Sequence, residues 1–167
     1  MISLVQVEEG EFNTERIKQH LHKQLRLKYG ESAYSEATIG ASVEFTGYVR
    51  ADEHAKLKGN QRVIAIELEH YPKMTEKAML SLVAKAEQRW PCKALALVHR
   101  VGYMEVGAPI VYVLASSSHR KEAFECAQFI MDYLKNEVPL WKKEIFTDGE
   151  SWVEQKQSDK SAQTRWQ

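Results

Sequence analysis

Ala94-Leu95-Ala96-Leu97-Val98-His99-Arg100-Val101 and Ile110-Val111-Tyr112-Val113-Leu114-Ala115 read as two short apolar strands. The segment joining them, Gly102-Tyr103-Met104-Glu105-Val106-Gly107-Ala108-Pro109, is punctuated by turn-forming glycine and proline. Helical patterns flank the pair. Upstream, residues 75–90 place Met79, Leu82, Val83, Ala86 and Trp90 on one face, with Pro72 before the helix and Pro91 to end it. Downstream, Ser116-Ser117-Ser118 leads into a helix over residues 119–136, with Ala123, Phe124, Ala127, Met131 and Leu134 as its predicted buried stripe. Pro139 breaks the chain after this helix, and residues 141–167 grow increasingly polar.

Farther upstream, residues 39–49 alternate. Ala41, Val43, Phe45, Gly47 and Val49 face one way, and Ser42, Glu44, Thr46 and Tyr48 the other, as in a half-buried strand. Residues 62–70 alternate again, with Ile64, Ile66 and Leu68 on one face, so the two strands are expected to pair as an antiparallel hairpin. Between them residues 51–61 are charged and polar, include Gly59-Asn60, and predict an exposed, mobile loop. Residues 2–7 suggest a short strand and residues 14–28 a helix. Asn13 is its expected N-cap, Phe12 and Ile17 form a hydrophobic staple, and Ile17, Leu21 and Leu25 make a narrow apolar stripe. The order βαββαββα, with mostly adjacent strands, predicts an α+β fold in one domain over residues 1–167.

The bulk properties exclude several functional classes. Lys plus Arg and Asp plus Glu each number 23, so the net charge is zero and the basic surplus of a nucleic-acid binder is missing. Any cationic site has to be a local cluster. No apolar run approaches the roughly 20 residues that cross a membrane. The start, Met1 to Val7, has no basic region and soon meets Glu8 and Glu9, unlike a secretion signal. Cys92 and Cys126 stand far apart and outside any CxxC pattern, which fits a reducing cytoplasm without disulfide framework or zinc site. His20, His22, His70 and His99 have no metalloprotease or triad spacing, and there is no GxGxxG, GxxxxGK[ST] or GxSxG. Neither a metal nor a cofactor is implied.

Three places can hold an anion. Ser116-Ser117-Ser118-His119-Arg120 lies where a strand meets a helix, so free backbone N–H groups and the positive end of the helix dipole point outward beside two basic side chains. Serine capping with two solvated side chains is the bland alternative. Arg50 ends an apolar strand after Gly47 and opens a loop, a common binding position, although many strand-end arginines are only solvated. Lys135 sits in the last turn of its helix, and Pro139 turns the chain toward Lys142 and Lys143 beside Trp141. Lysines on either side of such a turn can converge on one pocket, where a desolvated lysine beside other cations has a lowered pKa and can act as acid, base or nucleophile; the alternative is helix-end compensation with a basic surface patch.

Taken in order, several segments resemble one family. They are Phe45-Thr46-Gly47-Tyr48-Val49-Arg50, Leu68-Glu69-His70-Tyr71-Pro72-Lys73-Met74-Thr75-Glu76-Lys77-Ala78, Arg89-Trp90-Pro91, Val98-His99-Arg100-Val101-Gly102, and Ser118-His119-Arg120. Phe129-Ile130-Met131-Asp132-Tyr133-Leu134-Lys135, Pro139-Leu140-Trp141-Lys142-Lys143-Glu144, Trp152-Val153-Glu154 and Arg165-Trp166 continue the series. Together they are similar to the large-subunit family of molybdopterin synthase from about Gly40 to Trp166, while residues 1–39 match poorly. The resemblance implies an α/β-hammerhead-like fold with a small additional antiparallel β subdomain. It implies a sulfurtransferase of molybdenum cofactor biosynthesis, acting on cyclic pyranopterin monophosphate (precursor Z). It also implies a homodimer core flanked by two small ubiquitin-like sulfur-carrier subunits, each ending in a thiocarboxylate that enters a pocket drawn from both protomers.

Carried over residue by residue, the family's substrate contacts fall on Tyr48, Val49, Arg50, His119, Arg120, Lys135, Lys142, Lys143 and Glu144. Lys135 and Lys142 stand in the catalytic positions. Tyr48 replaces a frequent lysine and Lys156 a common arginine. Two rival readings remain: a non-catalytic module that binds a ubiquitin-like partner, and a phosphatase-like α+β enzyme using His119 and Arg120, which lacks a nucleophile or metal motif.

Overall fold

The near-continuous apolar character of the two central strands has a simple cause: helices cover both of their faces. The computed structural model describes residues 1–30, 38–51, 62–153 and 161–166. In chain order the elements are β1 (Ile2–Glu8), α1 (Thr14–Tyr29), β2 (Ala41–Tyr48), β3 (Val63–His70), α2 (Pro72–Arg89) and β4 (Cys92–Arg100). There follow β5 (Gly102–Glu105), β6 (Pro109–Ser117), α3 (Arg120–Glu137), β7 (Leu140–Phe146), β8 (Gly149–Trp152) and a 3-10 turn at Gln163–Trp166. The first sheet has the order β1-β4-β6-β2, with β1 parallel to β4 and the other pairs antiparallel. The second, fully antiparallel, has the order β5-β3-β7-β8.

Alternation along β4 and β6 divides the core. Leu95, Leu97, Val111, Val113 and Ala115 meet α2 and α3 through Met79, Leu82, Val83, Ala86, Phe129, Ile130 and Leu134. Ala94, Ala96, Val98, Tyr112 and Leu114 meet α1 through Ile17, Leu21 and Leu25. The α1 cap forms as the sequence predicts, with the Arg16 N–H donating to Asn13 Oδ1 at 2.9 Å and Phe12 packed on the cluster that holds Ile17. Lys18 and the Tyr112 hydroxyl both reach the Glu44 carboxylate, at 2.6 and 2.9 Å, and so fasten α1 and β6 to the edge strand β2. The second sheet has its own core of Val63, Ile66, Leu68 and Met104, joined by Val49 from the end of β2.

The α+β class stands, and several local expectations are corrected. β2 and β3 do not form a hairpin: β2 pairs with β6, and β3 with β5 and β7, so the two belong to different sheets. The glycine-rich connection after β4 contains β5, and the polar C-terminal region contains β7 and β8. Ile64 is 43 % exposed because the register shifts between Val63 and Ala65, which leaves Val63, Ile66 and Leu68 to line the core. Phe45 is 42 % exposed on an edge strand, and Phe124 is 63 % exposed because Cys126, Phe129 and Ile130 take the buried face of α3. Trp166 packs edge-on against Trp90 and Phe129 and donates to Asp132 at 2.8 Å, so the chain end returns to the first core. Of the loop expected over residues 51–61, only Ala51 lies among the described residues, and Lys156 lies outside them. Among the described residues no helix is long and apolar enough to cross a membrane.

A buried histidine makes part of the stability depend on pH. His99 is buried on β4, and that burial, opposed by a hydrogen bond between Nδ1 and the Arg100 carbonyl (2.8 Å), lowers its pKa to about 4. The fold therefore favours the neutral ring. Stability is fully present above the unfolded value near 6.5 and is lost as pH falls toward 4. Between pH 7.5 and 5 the loss is about 2 kcal/mol. Thermal unfolding across that range is expected to show a shallower pH slope in His99→Met than in the parent chain; equal slopes remove His99 as the cause.

Candidate active site

The topology sorts the basic side chains between two ends of the first sheet. β2 runs antiparallel to β6 with Ala41 opposite Ser117 and Tyr48 opposite Pro109, so the Tyr48-Val49-Arg50 segment leaves at the start of β6. His119 follows the end of β6, roughly 27 Å away along the strand. From there α3 packs back along the sheet, its successive apolar residues meeting β4 and β6. Arg120 and Lys135 lie at its opposite ends, about 22 Å apart. One protomer therefore gathers Tyr48, Val49, Arg50 and Lys135 toward the second sheet, and holds His119 and Arg120 at the far edge.

At the far edge the serines do not cap the helix. Ser116 shares a hydrogen bond with Ser42 (2.7 Å), Ser117 donates to the Pro91 carbonyl (3.5 Å), and Ser118 donates to the Thr38 carbonyl (3.3 Å). His119 occupies the N-cap position in extended conformation without a capping hydrogen bond from its side chain. The first N–H groups of α3 thus lie beside the exposed His119 and Arg120, with Glu122 in the first turn offsetting part of the positive field. The segment is braced by Gly40, whose N–H donates to the Ser117 carbonyl at 3.0 Å. A Cβ at Gly40 would lie 2.1 Å from the Ser118 carbonyl oxygen, a close approach that only glycine permits.

At the other end Val49 is the anchor. It is 3 % exposed, its N–H donates to the Ala108 carbonyl (2.9 Å), and its carbonyl accepts from the Gly107 N–H (2.8 Å). The strand is thereby pinned to the turn between β5 and β6, and Tyr48 and Arg50 project on either side as exposed residues. Lys135 is exposed in the last turn of α3, where the helix dipole favours a cation.

Within β7 the two adjacent lysines point to opposite faces. Lys142 and Glu144 stand opposite Leu68 and Ile66, on the face that packs against the second core. They form an ion pair of 3.0 Å in which the Glu144 side chain is 10 % exposed. Lys143 lies on the outer face, opposite Glu67 and Trp152. Its ammonium is within 3.4 Å of Glu67 and 3.5 Å of Glu150, and 4.8 Å from the centre of the Trp152 ring. Burial opposes its charge, but the two carboxylates outweigh that and hold its pKa above the ordinary lysine value. The strand alternation that separates Lys142 from Lys143 is visible in the sequence only once residues 140–146 are known to be a strand.

Cys92 and Cys126 are buried together beneath α3, and the neighbouring sulfur together with burial pushes the Cys126 thiol well up. Neither thiol borders either basic cluster in the way a reactive thiolate requires.

Comparison with known proteins agrees with this architecture. The family described as "MoaE protein" matches residues 20–137, which begins inside α1 and ends at the last residue of α3. The molybdopterin synthase catalytic subunit of Pseudomonas aeruginosa is 47% identical over 129 residues, covering 77% of this chain and 83% of that protein. A molybdopterin biosynthesis MoaE protein from Burkholderia ambifaria superposes with a TM-score of 0.73 at 38% identity, over 99% of this chain and 98% of the other. A molybdopterin synthase structure from Staphylococcus aureus gives a TM-score of 0.72 at 28% identity, over 89% and 95% of the two chains. The chain belongs to the MoaE family, the catalytic subunits of molybdopterin synthase.

Proposed function

We propose that the chain, as a cytoplasmic enzyme, moves sulfur from the thiocarboxylated C-terminus of a small ubiquitin-like carrier to cyclic pyranopterin monophosphate, in a site completed by a second copy of itself. The observation that carries the composite site is the separation of the basic residues within one protomer. Arg50, Lys135 and the Lys142–Glu144 pair belong to the end of the fold near the second sheet, whereas His119 and Arg120 lie about 22 Å away along α3. No single protomer can close them around one small substrate. A two-fold pairing that sets the start of α3 of one copy against the end of α3 of the other makes two equivalent sites.

The division of labour follows from charge. His119, Arg120 and the free N–H groups of α3 suit a cyclic phosphate. Lys135 orients and polarises the carrier's thiocarboxylate, and Lys142 donates or accepts a proton while Glu144 holds it in place. Tyr48, Val49 and Arg50 form one wall, and Lys143 steadies β7 from its outer face. Attack on the pterin side chain and opening of the cyclic phosphate both move negative charge, which fixed cations in a partly dry pocket stabilise where it develops. The sulfur comes from the carrier, not from this chain.

Turnover of precursor Z with thiocarboxylated carrier tests the assignment. Lys135→Ala is expected to lower the rate by a factor on the order of 10² to 10⁴; a near-parental rate removes Lys135 from the chemistry. A chain that binds the carrier and consumes no precursor Z is a binding module instead.

Mixing separately inactive Arg120→Ala and Lys135→Ala subunits tests the shared site. Random re-pairing leaves one intact site in half of the dimers, so about a quarter of parental activity is expected to return. A mixture as inactive as its components places both residues in the site of one protomer. Serine at both Cys92 and Cys126 is expected to leave sulfur transfer intact, and loss of transfer in a folded double variant overturns the carrier as the sole sulfur source.

A further inference from the structure

Arg100, at the end of β4, is only 8 % exposed, and its Nε and Nη1 are sealed from solvent without a hydrogen-bond partner among the described residues. A guanidinium removed from water is costly unless an anion or acceptor meets it. An acidic residue is at hand: Glu8 is its Cα partner on the neighbouring strand, about 5 Å away. Even so, no ion pair joins the two side chains, and Arg100 has no ion pair with any described residue. The fold thus holds a mostly buried cation beside a carboxylate with which it forms no ion pair.

Its direction follows from the strand. Ala94, Ala96 and Val98 face α1, and Arg100 continues that alternation. On this face Tyr112 meets Phe12, with ring centres 6.5 Å apart, just before α1 begins. Arg100 also lies at the end of the first sheet where Val49 is tied to Ala108 and the chain crosses to β5 through Gly102, whose φ is +80°. Only β6 separates β4 from β2, so the Tyr48 end of β2 is about 10 Å away across the sheet.

We propose that Arg100 is the receiving group of an oxyanion site at the junction of the two sheets, distinct from the α3 N-terminus, and that it takes a phosphate or carboxylate group of a ligand. An unpaired buried cation held against its own stability cost is the signature of a group whose counter-ion arrives from outside. The inference stands on Arg100 itself and does not require the sulfur-transfer reading.

The test uses the full chain with Arg120→Ala as background, which weakens the anion seat at the α3 N-terminus. Inorganic phosphate and acetate are titrated separately into this protein and into its Arg100→Met derivative, with calorimetry and thermal unfolding as readouts. Arg100→Met is expected to weaken anion binding at least tenfold and, without anion, to unfold at a higher temperature. Tighter binding of phosphate assigns the site to a phosphate ester; tighter binding of acetate assigns it to a carboxylate. Unchanged anion affinity in Arg100→Met, or lower stability with an unchanged anion response, overturns the proposal. A second readout follows Arg100 itself: its Nε–H resonance, assigned by its absence from an Arg100→Lys spectrum, is expected to shift on phosphate or acetate addition, and one unmoved at saturating concentrations of both overturns the proposal.

Discussion

Burial of β4 and β6 on both faces is the constraint on which the rest of the structure depends. A strand pair whose side chains are apolar on both sides has to be covered twice, by α1 on one side and by α2 with α3 on the other. A covering helix has to run along the strands, and the lengths agree: α3 has 18 residues and β6 has 9, about 27 Å and 30 Å. Packing alone therefore delivers the N-terminus of α3 to one edge of the sheet and its C-terminus to the other. The basic residues at those two termini inherit their separation from the hydrophobic core.

The second sheet adds a place where charge is partly withdrawn from water. Its inner face is built from Val63, Ile66, Leu68 and Met104, and Val49 seals it from the first sheet. Lys142 and Glu144 project from that same face, so their ion pair sits against apolar side chains. Lys143, one residue along, belongs to an outer row of Tyr103, Glu67 and Trp152. Adjacent lysines on a strand thus have different partners. Lys142, its side chain 41 % exposed, is paired with the nearly buried Glu144 and stays open to a bound group, while Lys143, 14 % exposed, spends its charge on its two carboxylate neighbours.

The sequence was legible where a pattern had only one physical solution. Ile17, Leu21 and Leu25 could only be an amphipathic stripe, Asn13 a cap, and the runs at Val98 and Val113 strands. Strand partners were not legible, because alternation fixes which face is buried and says nothing about which strand lies alongside. β2 and β3 both alternate, yet β3 is claimed by β5 and β7. The shift between Val63 and Ala65 was equally hidden, since a bulge inverts the apparent face of Ile64 without changing composition. Phe124 misled for a related reason: the buried face of α3 is filled by Cys126, Phe129 and Ile130, which leaves no room for it. As for the candidate site, the resemblance selected its residues, but neither the resemblance nor the spacing gave the 22 Å gap along α3, which is a property of the fold.

That gap also limits what one chain can do alone. Both ends of α3 carry basic residues, but the backbone field differs: N–H groups add positive potential beside His119 and Arg120, and carbonyls subtract it beside Lys135. The first end is the stronger anion seat. The second is less attractive to a phosphate, which suits it to a group whose charge changes during reaction. A two-fold axis that brings the unlike ends together generates both sites at once, because an isologous contact always repeats itself in reverse. Joining like ends would oppose positive charge to positive charge across a desolvated gap. The helix dipole and the placement of the basic residues therefore favour the same arrangement, an α3 N-terminus of one copy facing the α3 C-terminus of the other.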